Sequence, residues 1–262
     1  MLEHDFVNLK KTEEFKEFLL QQEVTDRLNP RDAIFGGRTN GIKLFFEGCS
    51  KHIDFTSLYP WVNKYCEYPV GHPEIITEHF QDIDSYFGLV KCKVFPPKNL
   101  FHPVLPFRCN GKLMFRLYRT CAETLNQNIC SHTDEERSIT GTWVTEEIKD
   151  VFLPTPEIAA FQWTQSNNLV TQDSSTNIFI AAFKTCHARL KLYSEIEKLN
   201  ESVLYFDTDS IIYKRDGIND PPLGNLLGEF TDELNGGTIT SFVTGKENLF
   251  SLRNFFFIKK KR

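Results

Sequence analysis

The stretch "YFDTDSIIY", Tyr205 to Tyr213, constrains the fold more than any other. Apolar and aromatic residues run into a tip of three polar ones, Asp207, Thr208 and Asp209, and then resume with Ile211, Ile212 and Tyr213. The pattern is a buried hairpin with carboxylates at its turn. Asp is a turn former, so a solvated tip is one reading. Two Asp at i and i+2 in so apolar a hairpin repel each other unless a cation neutralises them, and hard divalent cations prefer carboxylate oxygen. Spacing alone leaves tip and metal site open.

The rest of the chain supplies a core for such a hairpin. It has 262 residues, 40% hydrophobic and 13% aromatic, enough for one large domain or two modest ones. The net charge of −5 argues against a globally basic nucleic-acid binder and leaves room only for a local one. No apolar run is long enough for a transmembrane helix, so no membrane partner is expected. The N-terminus, "MLEHDFVNLKK", lacks the apolar centre of a signal peptide. Seven irregularly spaced cysteines then read as reduced thiols in an intracellular compartment.

Periodicity predicts an α+β fold. Residues 12–28 read as a helix capped by Thr12, with Phe15, Phe18 and Leu19 on one face. "IKLFFEGCSKHIDF" (42–55) reads as strand, turn, strand with Gly48 in the turn. Pro60 suits the first position of a short helix. "LVKCKVF" alternates as a strand. "NIFIAAF" (177–183) reads as a buried strand. The helix after it carries Cys186, Leu190, Tyr193 and Ile196 on its apolar face, with Arg189, Lys191, Glu195 and Lys198 elsewhere.

A second stretch, "HIDFTSLYPWVNKY", places Asp54 at a strand end, followed by Thr56, Ser57 and a helix start. Free N–H groups at a helix N-terminus point at a phosphate, and a carboxylate beside them holds a metal there. Together "DFTSLYP" and "YFDTDS" resemble two of the polymerase motifs of family B DNA polymerases. "NPRDAIFGGRTNGIKLFFEG", "GLVKCKVFPP", "GTWVTEEI", "AAFKTCHARLKLYSEIEKL" and "DPPLGNLLGEFTDELNGG" extend the resemblance over roughly residues 29–245. They look like the protein-primed branch, and within it most like the polymerases of Polinton/Maverick transposable elements.

The resemblance implies a polymerase palm, an antiparallel sheet with packed helices, and template-directed deoxynucleotidyl transfer. Asp54 and Asp209 would bridge two Mg²⁺ (Mn²⁺ being an alternative), with Asp207 supporting the site and the Phe55 carbonyl a further ligand. Ser57 and Leu58 would offer backbone N–H groups to the deoxynucleoside triphosphate. Tyr59 would lie under the incoming sugar. Gly36, Gly37 and Arg38 resemble a segment that touches template DNA, and Thr185 and Arg189 one that contacts DNA. As isolated patterns these are weak, since Gly-Gly is ordinarily a turn and "TCHARLKLY" a solvated helix face. A terminal priming protein is an implied partner, and a nuclear location is expected.

Other features depart from the family. The fingers helix, K-x-x-x-N-S-x-(Tyr or Trp)-G, has no match: no Lys or Arg lies between Lys149 and Lys184, and no Gly between Gly141 and Gly217. The expected organisation is an N-terminal helical segment (1–28), a palm-containing domain (29–245) with its fingers deleted near 148–162, and a divergent tail (246–262) lacking the family's primer-gripping motif. The exonuclease domain that the resemblance implies is not expected within these residues. Cys121, Cys130 and His132 form a C-x8-C-x-H array, but structural zinc normally has four ligands. The resemblance implies a further Cys where Tyr118 stands, and nothing in the spacing enlists Cys109, so zinc is not expected. The chain is read as a polymerase by family with impaired activity. Against this stand a catalytically dead palm remnant that binds DNA weakly, and a metal-dependent nuclease, which leaves "SLYP" unexplained.

Overall fold

The computed structural model describes residues 12, 28–96, 102–124, 126, 128–149 and 177–245, with the backbone of 159–162 and 260–261. The expected 12–28 helix, apart from its ends, most of the 148–162 junction and nearly all of the tail lie outside the described residues. In chain order the elements are β1 (Thr39–Gly41), β2 (Phe45–Phe55), α1 (Leu58–Tyr65), β3 (Glu74–Ile76), β4 (Gly88–Val94), β5 (Phe107–Cys109), β6 (Lys112–Met114), α2 (Arg119–Glu123), α3 (Asp134–Arg137), β7 (Ile139–Val144), α4 (Thr145–Lys149), β8 (Ala159–Gln162), α5 (Ile178–Leu199), β9 (Val203–Asp207), β10 (Ser210–Lys214), β11 (Phe230–Asp232), β12 (Thr238–Val243) and β13 (Lys260–Lys261). None of the described helices is long and apolar enough to cross a membrane.

The architecture is α+β. The main sheet is antiparallel, ordered β1-β9-β10-β2-β12-β13, with β11 also pairing β2. A second antiparallel sheet runs β3-β8-β4-β7, and β5 and β6 form a separate pair. Both faces of the β9–β10 hairpin are covered, which is why its arms carry so few polar residues. Val203, Phe206 and Ile211 pack with Leu192, Ile196 and α1 on one face. Leu204, Tyr205 and Ile212 pack with Leu234, Ile239 and Phe242 on the other.

Three local expectations change. Gly48 does not turn the chain: β2 is one strand of 11 residues. Instead β2 gains a residue on β12 here, since Ile239 faces Ser50 while Ser241 faces Glu47. This is a bulge, and Gly48 fits it because a Cβ would meet the Phe46 ring at 2.9 Å. α1 begins at Leu58, so Pro60 is its third residue, where an N–H has no helical acceptor anyway.

"NIFIAAF" is not a strand but the start of α5, a helix of 22 residues. The Asn177 side chain caps it, accepting from the N–H groups of Phe179 and Ile180 at 3.1 and 3.3 Å. The apolar run reflects how deeply this helix is buried, with Ala182, Phe183 and Cys186 all solvent-excluded. For the same reason its buried face includes Arg189 and Glu195, which an amphipathic reading sets outside.

Arg189 has no exposed face to seek. It is 1% exposed. Its Nε and one terminal nitrogen donate to Glu147 Oε1 at 2.9 and 2.5 Å, and the other donates to the Phe35 and Gly36 carbonyls at 2.9 Å each. One guanidinium thus ties α5 to α4 and to the segment before β1. Breaking a buried ion pair from one side leaves an uncompensated charge and typically costs about 3–5 kcal/mol. Arg189→Met and Glu147→Gln are each expected to lower the unfolding free energy by about 3 kcal/mol in urea denaturation. The double variant Glu147→Leu/Arg189→Met is expected to recover part of the loss, with additive losses counting against the pair.

Candidate active site

Asp54 is the next-to-last residue of β2, Asp207 ends β9, and Asp209 precedes β10. Ser210 pairs with Asp54 on one side and Asp207 on the other, so these two share a face of the sheet. A strand spacing of about 4.8 Å puts their Cα atoms roughly 10 Å apart. Asp209 is tied in by its carbonyl, which accepts from the Phe55 N–H at 2.8 Å. The three carboxylates therefore gather at one end of the central strands rather than along a sheet edge. Burial first, then Asp209, Glu233 and Asp207, push the Asp54 carboxyl up to about 6. Burial and Asp207 raise Asp209 as well. The carboxylate oxygens do not all lie within 4.8 Å of one another, as befits like charges.

The backbone around them is held in unusual conformations. Thr208, between the two hairpin Asp residues, has φ 26, and Ser57, at the start of α1, has φ 54. Such residues each cost about 1–3 kcal/mol and persist where their surroundings hold them. Thr208 donates its N–H to the Arg38 carbonyl at 2.9 Å. Its side chain lies on Gly37, where a Cβ would come within 2.4 Å of Thr208 Oγ1. Thr39 Oγ1 donates to Asp207 Oδ1, across the register that pairs the two residues. Ser57 is exposed and Leu58 buried, and Glu229 and Gly228 pin Thr56 by N–H···O bonds of 2.7 and 2.9 Å.

Tyr59 is half-buried beside Asp209 and Arg189, and burial raises its hydroxyl's pKa most. The Lys184 ammonium sits 5.5 Å from its ring centroid. Thr185 turns its hydroxyl back onto the Ala181 and Ala182 carbonyls, at 3.3 and 3.1 Å. Arg38 is 1% exposed and packs over Phe115, Tyr193 and Phe206. The guanidiniums of Arg38 and Arg189 are thus both buried, holding carbonyls and rings inside the fold. Gly36 is exposed and Gly37 half-buried. Glu147, Thr39 and Glu233 join the site without having been singled out in the sequence. Glu147 stands in "GTWVTEEI", where its charge gives no sign that it is buried.

A palm of this kind, an antiparallel sheet gathering carboxylates beside a helix start, defines the class of polymerase folds. The chain belongs to the type B DNA polymerases of organellar and viral kind, whose family profile matches residues 8–152. No curated protein matches the sequence. Among solved structures it is similar to Phi29 DNA polymerase complexed with single-stranded DNA, at 14% identity and TM-score 0.54, covering 87% of this chain and 51% of that one. The ternary complex of the same polymerase with primer-template DNA and incoming nucleotide substrates gives TM-score 0.55 at 14% identity, covering 95% and 58%. The chain thus spans about half the length of these relatives in fold.

Two outcomes follow from the site. Asp54 binds its proton more tightly folded than unfolded, so its contribution to stability falls as pH rises from about 4 to 6. Asp54→Asn is expected to stabilise the metal-free chain by about 1 kcal/mol at pH 7, allowing for solvent screening, and by nearly nothing at pH 4. Thermal unfolding at the two pH values checks this. Gly37→Ala is expected to cost about 1–3 kcal/mol by overpacking against Thr208, with Thr208→Ala relieving part of it. Additive losses in that cycle would contradict the contact.

Proposed function

We propose that the chain is the palm of a DNA-directed DNA polymerase of the protein-primed type, transferring deoxynucleotides to a primer 3′-hydroxyl on a DNA template. The observation that carries this reading is the convergence of Asp54, Asp207 and Asp209 beside the start of α1. The donor set fits a hard divalent cation, being all carboxylate, with Asp54 raised by burial first and then by Asp209, Glu233 and Asp207. Two Mg²⁺ bound there would activate the primer hydroxyl and stabilise the pyrophosphate leaving group. Asp54 and Asp209 are read as the bridging ligands, Asp207 as their support and the Phe55 carbonyl as a further ligand. The Ser57 and Leu58 N–H groups would hold the triphosphate at the helix start. Tyr59 would lie under the sugar, where a 2′-hydroxyl would clash. The Polinton-like branch, a terminal priming protein, the three-part organisation with its fingers deletion and a nuclear location belong to the same proposal.

A second reading, a palm remnant with little activity, is favoured by one observation. No Lys or Arg stands between Lys149 and Lys184, where the family places the cations that hold the triphosphate. With Arg189 committed to Glu147, Lys184 beside Tyr59 is the cation best placed to substitute. Losing one positioned donor typically costs a factor of about 10² to 10³.

Primer extension with Mg²⁺ separates the readings. The chain alone is expected to incorporate nucleotides at least about 10³-fold more slowly than an intact relative, in an Asp54-dependent way. Inserting a fingers segment between Ile148 and Gln162 is expected to restore part of the rate. No Asp54-dependent incorporation even with the insertion would leave the remnant reading. Digestion of single-stranded DNA in place of extension would mark a nuclease.

A further inference from the structure

Cys121 and Cys130 lie on either side of a segment whose described residues bury little apolar surface. α2 buries Ala122 and α3 buries Arg137. Between them Ile129 is 96% exposed. Two polar contacts link the helices: Thr120 Oγ1 donates to the Glu136 carbonyl at 2.6 Å, and the Arg137 guanidinium lies 4.2 Å over the Tyr118 ring. Small units with so little buried apolar surface usually need a covalent or metal staple.

The structure places such a staple's parts together. His132 Nδ1 lies 3.3 Å from Cys121 Sγ and 3.3 Å from Cys130 Sγ. The three ligand atoms all lie within 4.8 Å of one another. A tetrahedral ion with metal–sulfur bonds of about 2.3 Å and a metal–nitrogen bond of about 2.0 Å sets sulfur and nitrogen roughly 3.5 Å apart. The observed triangle needs only a small expansion to accept one. A disulfide would use the two sulfurs and leave unexplained why one imidazole nitrogen faces both equally. The Asn126 side-chain N–H₂ lies 3.7 Å from Cys121 Sγ, placed as an outer donor to that sulfur. Cys109 is not a fourth ligand; it is buried in a hydrophobic cluster with Phe107 and Trp143.

We propose that Cys121, Cys130 and His132 bind one soft divalent cation, Zn²⁺, with the fourth position left to solvent, and that this ion clamps α2 to α3. The site departs from the sequence expectation because three ligands brought to one point suffice where a fourth protein ligand is lacking. Binding is a simple exchange: the two thiols release their protons, and both sulfurs and Nδ1 each give a lone pair to the metal. Softness keeps this site apart from the carboxylates. Thiolate and imidazole suit Zn²⁺, while carboxylates suit Mg²⁺ and Mn²⁺.

The test uses the full chain, purified reduced, loaded with Zn²⁺ or with Co²⁺ as its spectroscopic substitute. One equivalent of Co²⁺ is expected to give tetrahedral visible bands and a sulfur-to-cobalt charge-transfer band. Cys130→Ser should remove about half of the charge-transfer intensity, while Asp54→Asn should leave the spectrum unchanged. Should the cysteine variant fail to fold, alkylation of the unaltered chain decides. Mass spectrometry is expected to find Cys121 and Cys130 protected with Zn²⁺ and modified once a chelator removes it. Octahedral Co²⁺ without charge transfer, equal alkylation with and without Zn²⁺, or a Cys121–Cys130 disulfide in reducing buffer would each overturn the proposal.

Discussion

The guanidinium of Arg189 donates in three directions at once, to the carboxylate of Glu147 and to the carbonyls of Phe35 and Gly36. A buried charge on a helix must find a partner or be expelled. Here Glu147, itself fully buried, supplies the opposite charge, and burial still drives its carboxyl above the ordinary range against the pull of Arg189. The carbonyls satisfy what remains. The result reaches the site in two steps. Holding Phe35 and Gly36 fixes Gly37 and Arg38, and these receive the side chain and the N–H of Thr208. Thr208 sits between Asp207 and Asp209, so a chain of contacts runs from the ion pair to both carboxylates, which it does not touch.

This arrangement explains why an apolar hairpin tolerates carboxylates at its tip. The strands below the turn are buried on both faces, and the turn is pinned from above by the Gly37–Arg38 backbone. Asp54 arrives on the neighbouring strand, where burial first, and then Asp209, Glu233 and Asp207, raise its pKa. Negative charge held together against repulsion is a poor stabiliser and a good cation site. Proteins accept such local strain where a ligand relieves it.

The carboxylates and the α+β class were legible in the sequence because both rest on short-range pattern: an apolar run broken by Asp-Thr-Asp, and a strand end beside a helix start. The β4 alternation held because lysine and buried residues take opposite faces of one strand. What failed was long-range. "NIFIAAF" looked like a strand because a fully enclosed helix start and a buried strand have the same composition, and only the Asn177 cap marks the difference. Gly48 looked like a turn because a bulge depends on the partner strand's register. Arg189 looked like a surface cation because its partner, Glu147, lies far off in sequence. That Cys121, Cys130 and His132 converge is likewise beyond what their spacing shows.

If the Arg189–Glu147 pair positions carboxylates that it does not contact, loosening the pair weakens cation binding at a distance. Manganese binding, followed by electron paramagnetic resonance of free Mn²⁺, reads that position directly. Asp54→Asn should weaken binding because it removes a ligand. Arg189→Lys leaves every carboxylate in place and keeps the charge, but loses the fork that grips Glu147 and two carbonyls together. With folding verified by circular dichroism, Arg189→Lys is expected to weaken Mn²⁺ binding by about ten-fold, the effect usual for an outer positioning group. A folded Arg189→Lys chain that binds Mn²⁺ as tightly as the unaltered one would contradict the account.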